Sequence, residues 1–437
     1  QTPADDGSKR KREDSCVTVA VNRLFLTATT QAPNVSYMNS ITIRIQDLRR
    51  CPSGRSADAV GRLKLVSLIL LLCQLTLGAH QARAGIRHTY LTWQADPSSS
   101  ISINVQTLHQ PGQPPPQITV VYDTVLAAAP SAYRWASAAT NVDPIDALPG
   151  RTVHSVVLHD LLPGQRYHYR VLSSQDAASR VYHFRTIHDE PKPLRFIAGG
   201  DMGIDENAQR LQAVAAAQNP QFALIGGDLA YANGDWSQTR VWDRWFDIWD
   251  SLMVTPSGNQ IPIVAAIGNH EVRGGYAGNV QDAGPYLRFL PQSPTPYYER
   301  SIGPHMGLIV LDSGHLTPHA GVQTDWLRRA LEGHSDRPLC LVAYHVPLFP
   351  GFRLPSGAMP SAGREFWQPL FEQYNITAAL EHHDHIFKRT VLIRGDEETE
   401  DGILYLGDGA FGRPTKPVEG PRQVHLGRRW YLHKLES

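Results

Sequence analysis

Cysteine is scarce in this 437-residue chain, with four residues: Cys16, Cys51, Cys73 and Cys340. The first three fall in segments read below as preceding the mature fold. No disulfide framework is therefore expected, and Cys340, inside the apolar run from Leu339 to Val342, reads as a buried thiol. Net charge is also lacking. Lys plus Arg and Asp plus Glu each total 41, which removes the basic excess that nucleic acid or an anionic membrane surface would demand. The apolar run from Leu65 to Leu77 covers 13 residues, and about 20 are needed to cross a bilayer. A stable membrane anchor is therefore not expected.

The short apolar run has a meaning of its own. Arg62 and Lys64 precede it, and Ala82-Arg83-Ala84 follows it as an A-x-A cleavage site. This is the pattern of a secretory signal peptide, assigned to residues 60–84. Residues 1–59 show no periodicity and read as a non-native, unstructured upstream extension, with the start expected near Val60 or Gly61. Within the extension, Lys9-Arg10-Lys11-Arg12 has the composition of a nuclear-localisation patch, which an export signal overrides. Leu72 before Cys73 is too large for a lipoprotein box. The protein is expected to be secreted or periplasmic.

At about 100–200 residues per domain, the length allows two to three domains. Residues 85–188 alternate apolar and polar positions in short stretches: Thr89 to Trp93, Ile101 to Thr107, Val153 to Leu158 and Tyr167 to Leu172. Pro-Gly turns at Pro111, Pro149 and Pro163 separate them, which predicts a β-sandwich. His154, His159, His168 and His183 read as ordinary strand residues. The linker Asp189-Glu190-Pro191-Lys192-Pro193 disfavours helix and central strand alike. Beyond it, in residues 189–437, apolar runs alternate with amphipathic helices at Asn207–Gln218 and Ser237–Met253. In the second helix Val241, Trp245, Phe246, Trp249 and Leu252 would form the buried face. Further strands are expected at Leu194–Ala198, Phe222–Ile225, Ile261–Ile267, Met306–Leu311, Leu339–Tyr344 and Ile376–Leu380, giving an α/β domain. The last residues, Tyr431 to Ser437, read as the middle of a strand, so this domain is expected to be truncated.

Polar clusters follow five of those apolar runs. They are Gly199-Gly200-Asp201, Gly226-Gly227-Asp228-Leu229-Ala230-Tyr231, Gly268-Asn269-His270-Glu271, His345, and His382-His383-Asp384-His385. Open α/β sheets bind ligands at the carboxyl ends of their strands. Two Asp, one Asn, one Tyr and three or four His offer hard oxygen and borderline nitrogen donors without thiolate. That set suits iron, zinc or manganese rather than a structural zinc site. An Asp can bridge two metals, and two metals can clamp a phosphoryl group. The residues themselves leave open which of His382, His383 and His385 point inward.

This series resembles the calcineurin-like metallophosphoesterases, and Tyr231, three residues after Asp228, resembles the purple acid phosphatase branch. The stretch from Leu161 to Val171, with its L-x-P-G-x-x-Y-x-Y-R-V pattern, resembles a fibronectin type III module, which that branch carries first. The resemblance covers roughly residues 85–437. It implies an all-β sandwich followed by a four-layer αββα metallophosphoesterase domain with two facing sheets. It further implies that Asp201, Tyr231 and His385 bind Fe(III), that Asn269, His345 and His383 bind a divalent Fe, Zn or Mn, and that Asp228 bridges them. His383 and His385 are chosen because they supply the family's H-x-H. Asn269, His270 and His315 would meet the substrate, with His270 as the catalytic residue that orients the phosphate or protonates the leaving alkoxide, and Glu271 orienting a ligand or a neighbouring loop. His315 would stand in for a histidine pair that some plant relatives use against substrate and that this chain lacks. His382 stands where the family has Gly. The implied reaction is hydrolysis of phosphate monoesters by a metal-bound hydroxide. The alternatives are a phosphodiesterase of the same superfamily, and a secreted phosphate-binding or adhesion protein without turnover. The oligomeric state is not legible.

Overall fold

The computed structural model describes residues 85–304 and 306–416. The signal-like segment, the extension before it and the final strand-like stretch lie outside these residues. Eight strands come first: β1 (Gly85–Thr92), β2 (Ile101–Leu108), β3 (Ile118–Asp123), β4 (Trp135–Ala138), β5 (Asn141–Pro144), β6 (Arg151–Leu158), β7 (Arg166–Ser173) and β8 (Tyr182–Arg185). They form two antiparallel sheets, ordered β1-β2-β6-β5 and β4-β3-β7-β8. The alternation read in the sequence builds their shared core. Ile101, Ile103 and Val105 of β2 meet Val156 and Leu158 of β6 and Tyr167, Tyr169 and Val171 of β7. No regular element occurs between Thr186 and Arg195.

The α/β portion begins with β9 (Phe196–Gly199), α1 (Glu206–Ala217), β10 (Phe222–Ile225), α2 (Thr239–Leu252), β11 (Ile263–Ala265) and α3 (Gly284–Phe289). It continues through β12 (Tyr298–Ile302), β13 (Met306–Val310), α4 (Val322–Gly333), β14 (Leu339–Tyr344), α5 (Ala358–Phe366), α6 (Gln368–Gln373) and β15 (Ala378–Glu381). It ends with β16 (Phe387–Arg389), β17 (Ile393–Arg394), β18 (Glu397–Glu398) and β19 (Leu404–Asp408). A parallel sheet β11-β10-β9 faces a larger sheet β12-β13-β14-β15-β19-β16, whose inner strands β13, β14, β15 and β19 are parallel.

Strand periodicity explains the layering. Phe196, Phe222, Leu224 and Val264 of the smaller sheet share one apolar cluster with Leu308, Val310, Leu341 and Leu380 of the larger. The alternate residues Ile197, Ala223, Ile225 and Ile263 pack outward on α1 and α2. Ile309, Val342, Tyr344 and Ala379 pack outward on α4, α5 and α6. Helices therefore cover both outer faces of two facing sheets, the αββα order that was expected. The buried face of α2 is Trp242, Trp245, Phe246, Ile248 and Trp249, so two of the expected positions are corrected. Val241 and Leu252 are only partly buried, because the helix turns its Trp242 side toward the sandwich. Cys340 is a free buried thiol, raised to about 12 by burial. Among the described residues no helix is long and apolar enough to cross a membrane.

The outer face of sheet β1-β2-β6-β5 is polar yet buried against α2 and α3. Asn104 and Gln106 are fully buried and bond to Thr92 and Arg151. Arg151 reaches Asp243 at 2.6 Å, and Arg87 reaches Asp247 at 2.9 Å. His88 Nε2 lies 3.2 Å from Asp247 Oδ1. Burial first, and then the Arg87 charge, lowers the His88 pKa from 6.5 to about 4, so the fold holds this ring neutral. Its contribution to stability is complete above pH 6.5 and is lost as pH falls toward 4, a difference of about 3 kcal/mol. Urea midpoints measured from pH 7 down to pH 4 should fall, and His88→Gln should flatten the fall by about that amount.

Candidate metal centre

All five motif loops leave the carboxyl ends of parallel strands. Asp201 follows β9, Asp228 and Tyr231 follow β10, and Asn269 follows β11, all from the smaller sheet. His345 follows β14, and His383 and His385 follow β15, all from the larger sheet. The seven side chains meet. Ligand atoms of Asp201, Asp228, His345 and His383 all lie within 4.8 Å of one another, a grouping that could hold a metal ion.

Two clusters share Asp228. In one, Asp201 Oδ1 lies 3.0 Å from His385 Nε2, and the Tyr231 hydroxyl lies 3.3 Å from each of them. In the other, His345 Nε2 lies 3.1 Å from Asn269 Oδ1 and 3.0 Å from His383 Nδ1. Asp228 Oδ2 approaches His345 Nε2 at 3.4 Å. Asp201, Asp228, Tyr231, His383 and His385 all adopt positive φ. Such conformations cost about 1–3 kcal/mol each and persist where the surroundings over-determine them.

Local bonding explains how these conformations are held. Glu271 is 1% exposed and accepts the backbone N–H groups of Asp228, Leu229 and Gly268. One carboxylate thus fixes the loops that carry Asp228 and Asn269. A Cβ on Gly268 would stand 2.4 Å from Asp228 Oδ1, so this glycine serves close approach. Asp228 Oδ1 also accepts the His270 N–H at 2.8 Å. His382 points away from the cluster. Its Nδ1 lies 2.8 Å from the Asp408 carbonyl oxygen, and its ring fills the space beside Gly226 that a Cβ would occupy, 1.8 Å from Cδ2.

The electrostatics call for positive charge. Burial alone would raise the Asp228 carboxyl, yet the facing His345 ring and the His270 N–H hold it well below the ordinary range. Against its own burial, His345 is pushed up to about 9 by Asp228 and Asp201. Burial raises Asp201, and burial with the two carboxylates raises the Tyr231 phenol. The Nδ1 of His345 lies 2.8 Å from the Gly226 carbonyl oxygen, which orients Nε2 into the cluster. The His383 Nε2 lies 3.2 Å from the Tyr276 hydroxyl, which leaves Nδ1 facing inward. Inward-facing lone pairs, two carboxylates and outward partners on the rings match what metal ligands need. The donor set therefore fits a pair of cations.

The His270 ring lies tilted against Tyr231, with centroids 4.2 Å apart, and its Nδ1 bonds Asn233 Oδ1. Its Nε2 points toward Asp228 Oδ2 at 3.9 Å, and the side chain is 34% exposed at the mouth. His315 does not reach the mouth. It is fully buried, with Nδ1 2.9 Å from the Gly275 carbonyl oxygen, Nε2 3.2 Å from Ser313 Oγ, and its ring stacked on Tyr276. The expectation that it meets substrate is therefore corrected, since both ring nitrogens are used within the protein. Sequence reasoning missed Tyr276, Asn233, Arg353 and Asp384. The Gly274-Gly275-Tyr276 stretch carries no motif, and Asp384 was passed over as the variable residue of H-x-H.

The chain and its fold have known relatives. A model of the purple acid phosphatase N-terminal domain matches residues 86–186, and a calcineurin-like phosphoesterase model matches residues 184–387. The chain is similar to Uncharacterized protein Rv2577 of Mycobacterium tuberculosis, with 26% identity over 356 residues, covering 69% of this chain and 64% of that protein. It is also similar to Purple acid phosphatase 15 of Arabidopsis thaliana, with 23% identity over 299 residues, covering 61% and 56%. The chain thus spans roughly three-fifths of these relatives' length. Its fold is similar to that of the purple acid phosphatase PPD1 from yellow lupin (Lupinus luteus) seeds. The TM-score is 0.64 at 17% identity, covering 77% of this chain and 66% of that one.

Glu271→Ala would leave three buried N–H groups unpaired, at about 1–3 kcal/mol each. Thermal unfolding should move down by several degrees, and metal titration should show about 10–100-fold weaker binding. Glu271→Gln keeps one acceptor oxygen and should fall between the variant and the parent.

Proposed function

We infer the function from the family: the chain belongs to the purple acid phosphatase-like branch of the calcineurin-like metallophosphoesterases, and we propose that it hydrolyses phosphate monoesters. The observation that carries this reading is the pair of clusters sharing Asp228. Asp201, Tyr231 and His385 would hold one metal, Fe(III), and Asn269, His345 and His383 a divalent Fe, Zn or Mn, with Asp228 between them. When bound, such a pair activates water near neutral pH and stabilises charge on the phosphoryl oxygens.

The chain's own residues do the rest. His270 stands at the mouth on the Asp228 side, with Nδ1 engaged by Asn233 and Nε2 turned inward. Protonated there, it gives its proton to the leaving alkoxide. Asn269, adjacent in the chain, borders the same side. Tyr276 braces His383 from outside, and His315 braces Tyr276. Residues 60–84 support export to the cell exterior or periplasm.

Metal analysis with a visible spectrum tests the site, and a nitrophenyl phosphate compared with its bis-ester tests the reaction. The expected results are two metals per chain, a phenolate-to-iron band that Tyr231→Phe abolishes, and preference for the monoester. A band that survives Tyr231→Phe, or preference for the bis-ester, overturns the corresponding assignment. Burial lowers the His270 pKa below 6.5, more than Asp228 raises it. The acid form therefore fills only on the acidic side, so kcat should decline as pH rises toward 6.5. His270→Ala should lower kcat by about 100-fold or more and remove that decline.

A further inference from the structure

We propose that Arg353 grips the phosphoryl group of the substrate and that Asp384, between the two histidines of H-x-H, is the positioning residue that sets it there; this rests on the phosphoesterase reading above. His315, buried behind Tyr276, has both ring nitrogens engaged within the protein. A donor beside His383 must come from elsewhere.

The loop after His345 supplies one. Asp384 is 2% exposed, and its Oδ2 accepts the N–H groups of Gly351 and Phe352 at 2.8 and 2.9 Å. Its Oδ1 accepts Arg353 Nη1 at 3.0 Å, and the same Nη1 donates to the His383 carbonyl oxygen at 2.6 Å. Residues 351–353 are thereby tied to the segment that carries His383 and His385.

Both contacts use Nη1. Among the described residues Nε and Nη2 take no hydrogen bond, and the side chain is 42% exposed. His383 thus takes Arg353 on its carbonyl oxygen and Tyr276 on its ring. A guanidinium whose outer edge is free, fixed at its inner corner beside His383, presents a planar fork for two phosphoryl oxygens. His270 rises beside Tyr231, in the other cluster. The two groups would therefore hold the phosphate ester from different sides.

The test uses the metal-loaded full chain, with three readouts: metal content, steady-state kinetics on nitrophenyl phosphate, and calorimetric binding of inorganic phosphate. Arg353→Ala should keep its metals, raise KM and weaken phosphate binding by about 10–100-fold, and change kcat less than KM. Arg353→Lys keeps the charge and guards against a folding failure. It should still weaken phosphate binding, because an ammonium cannot form the fork. Asp384→Asn should shift both quantities in the same direction by less, and add little on top of Arg353→Ala. Unchanged KM and phosphate affinity in fully loaded Arg353→Ala, or parent-like phosphate binding by Arg353→Lys, overturns the grip. Additive effects of the two sites overturn the positioning role. A parent that binds phosphate but turns over no ester would refute the phosphatase reading and leave the Arg353 assignment standing. A parent that binds no phosphate refutes both.

Discussion

Two carboxylates buried side by side need compensating positive charge, and the arrangement of this protein follows from that need. Asp201 and Asp228 follow neighbouring parallel strands, paired from Phe196 with Phe222 through Gly199 with Ile225. Their side chains are almost completely withdrawn from water. Unpaired, such groups would be costly or would neutralise. Every oxygen donor of the cluster, including Tyr231 and Asn269, comes from the smaller sheet, and every imidazole comes from the larger one. Stacking the two sheets and balancing their charge are thus one event. The apolar residues between the sheets bring the strand ends into line, and the polar loops at those ends complete the site.

Much of this was legible in the residues. The stretches Phe222–Ile225 and Leu339–Tyr344 became strands with the expected bounds, because each is a short apolar run closed by glycine or histidine. The helix at Ser237–Met253 was legible, but its face was not, since Trp242 and Val241 look equally apolar until a partner chooses between them. Partners also explain the larger surprise in the sandwich. Alternation predicts that Asn104 and Gln106 face water. They are instead buried against another domain, where Arg151–Asp243 and Arg87–Asp247 span the junction. One-dimensional periodicity marks a second face. It cannot show that another surface covers it.

The site divides in the same way. Five polar clusters could be named because each follows an apolar run directly, so position along the chain stood in for position in space, while Tyr231 and the choice of His383 and His385 came from the family resemblance. Tyr276 and Arg353 sit well along loops whose paths are set by contacts with other segments, and no local signal marks them. His315 failed for the opposite reason. Its neighbourhood in the sequence suggested the mouth, while the bonds to Gly275 and Ser313 draw it behind Tyr276. Glu271 lay within a motif, but its role is visible only as three N–H groups from separate parts of the chain converging on one side chain.

The run His382-His383-Asp384-His385 shows how much one segment can carry. His383 and His385 take positive φ, which turns both rings into the cluster and sends their neighbours elsewhere. His382 goes into the slot beside Gly226, where any Cβ would collide with its ring. A histidine replacing the family's glycine is therefore tolerated because a glycine sits opposite. Asp384 goes to the other side and takes two backbone N–H groups and a guanidinium from the loop after His345. The flanking residues thus anchor the strained turn from two directions, at Asp408 and Gly226 on one side and at residues 351–353 on the other. With both anchors made, the two histidines hold a backbone shape that isolated peptides rarely adopt.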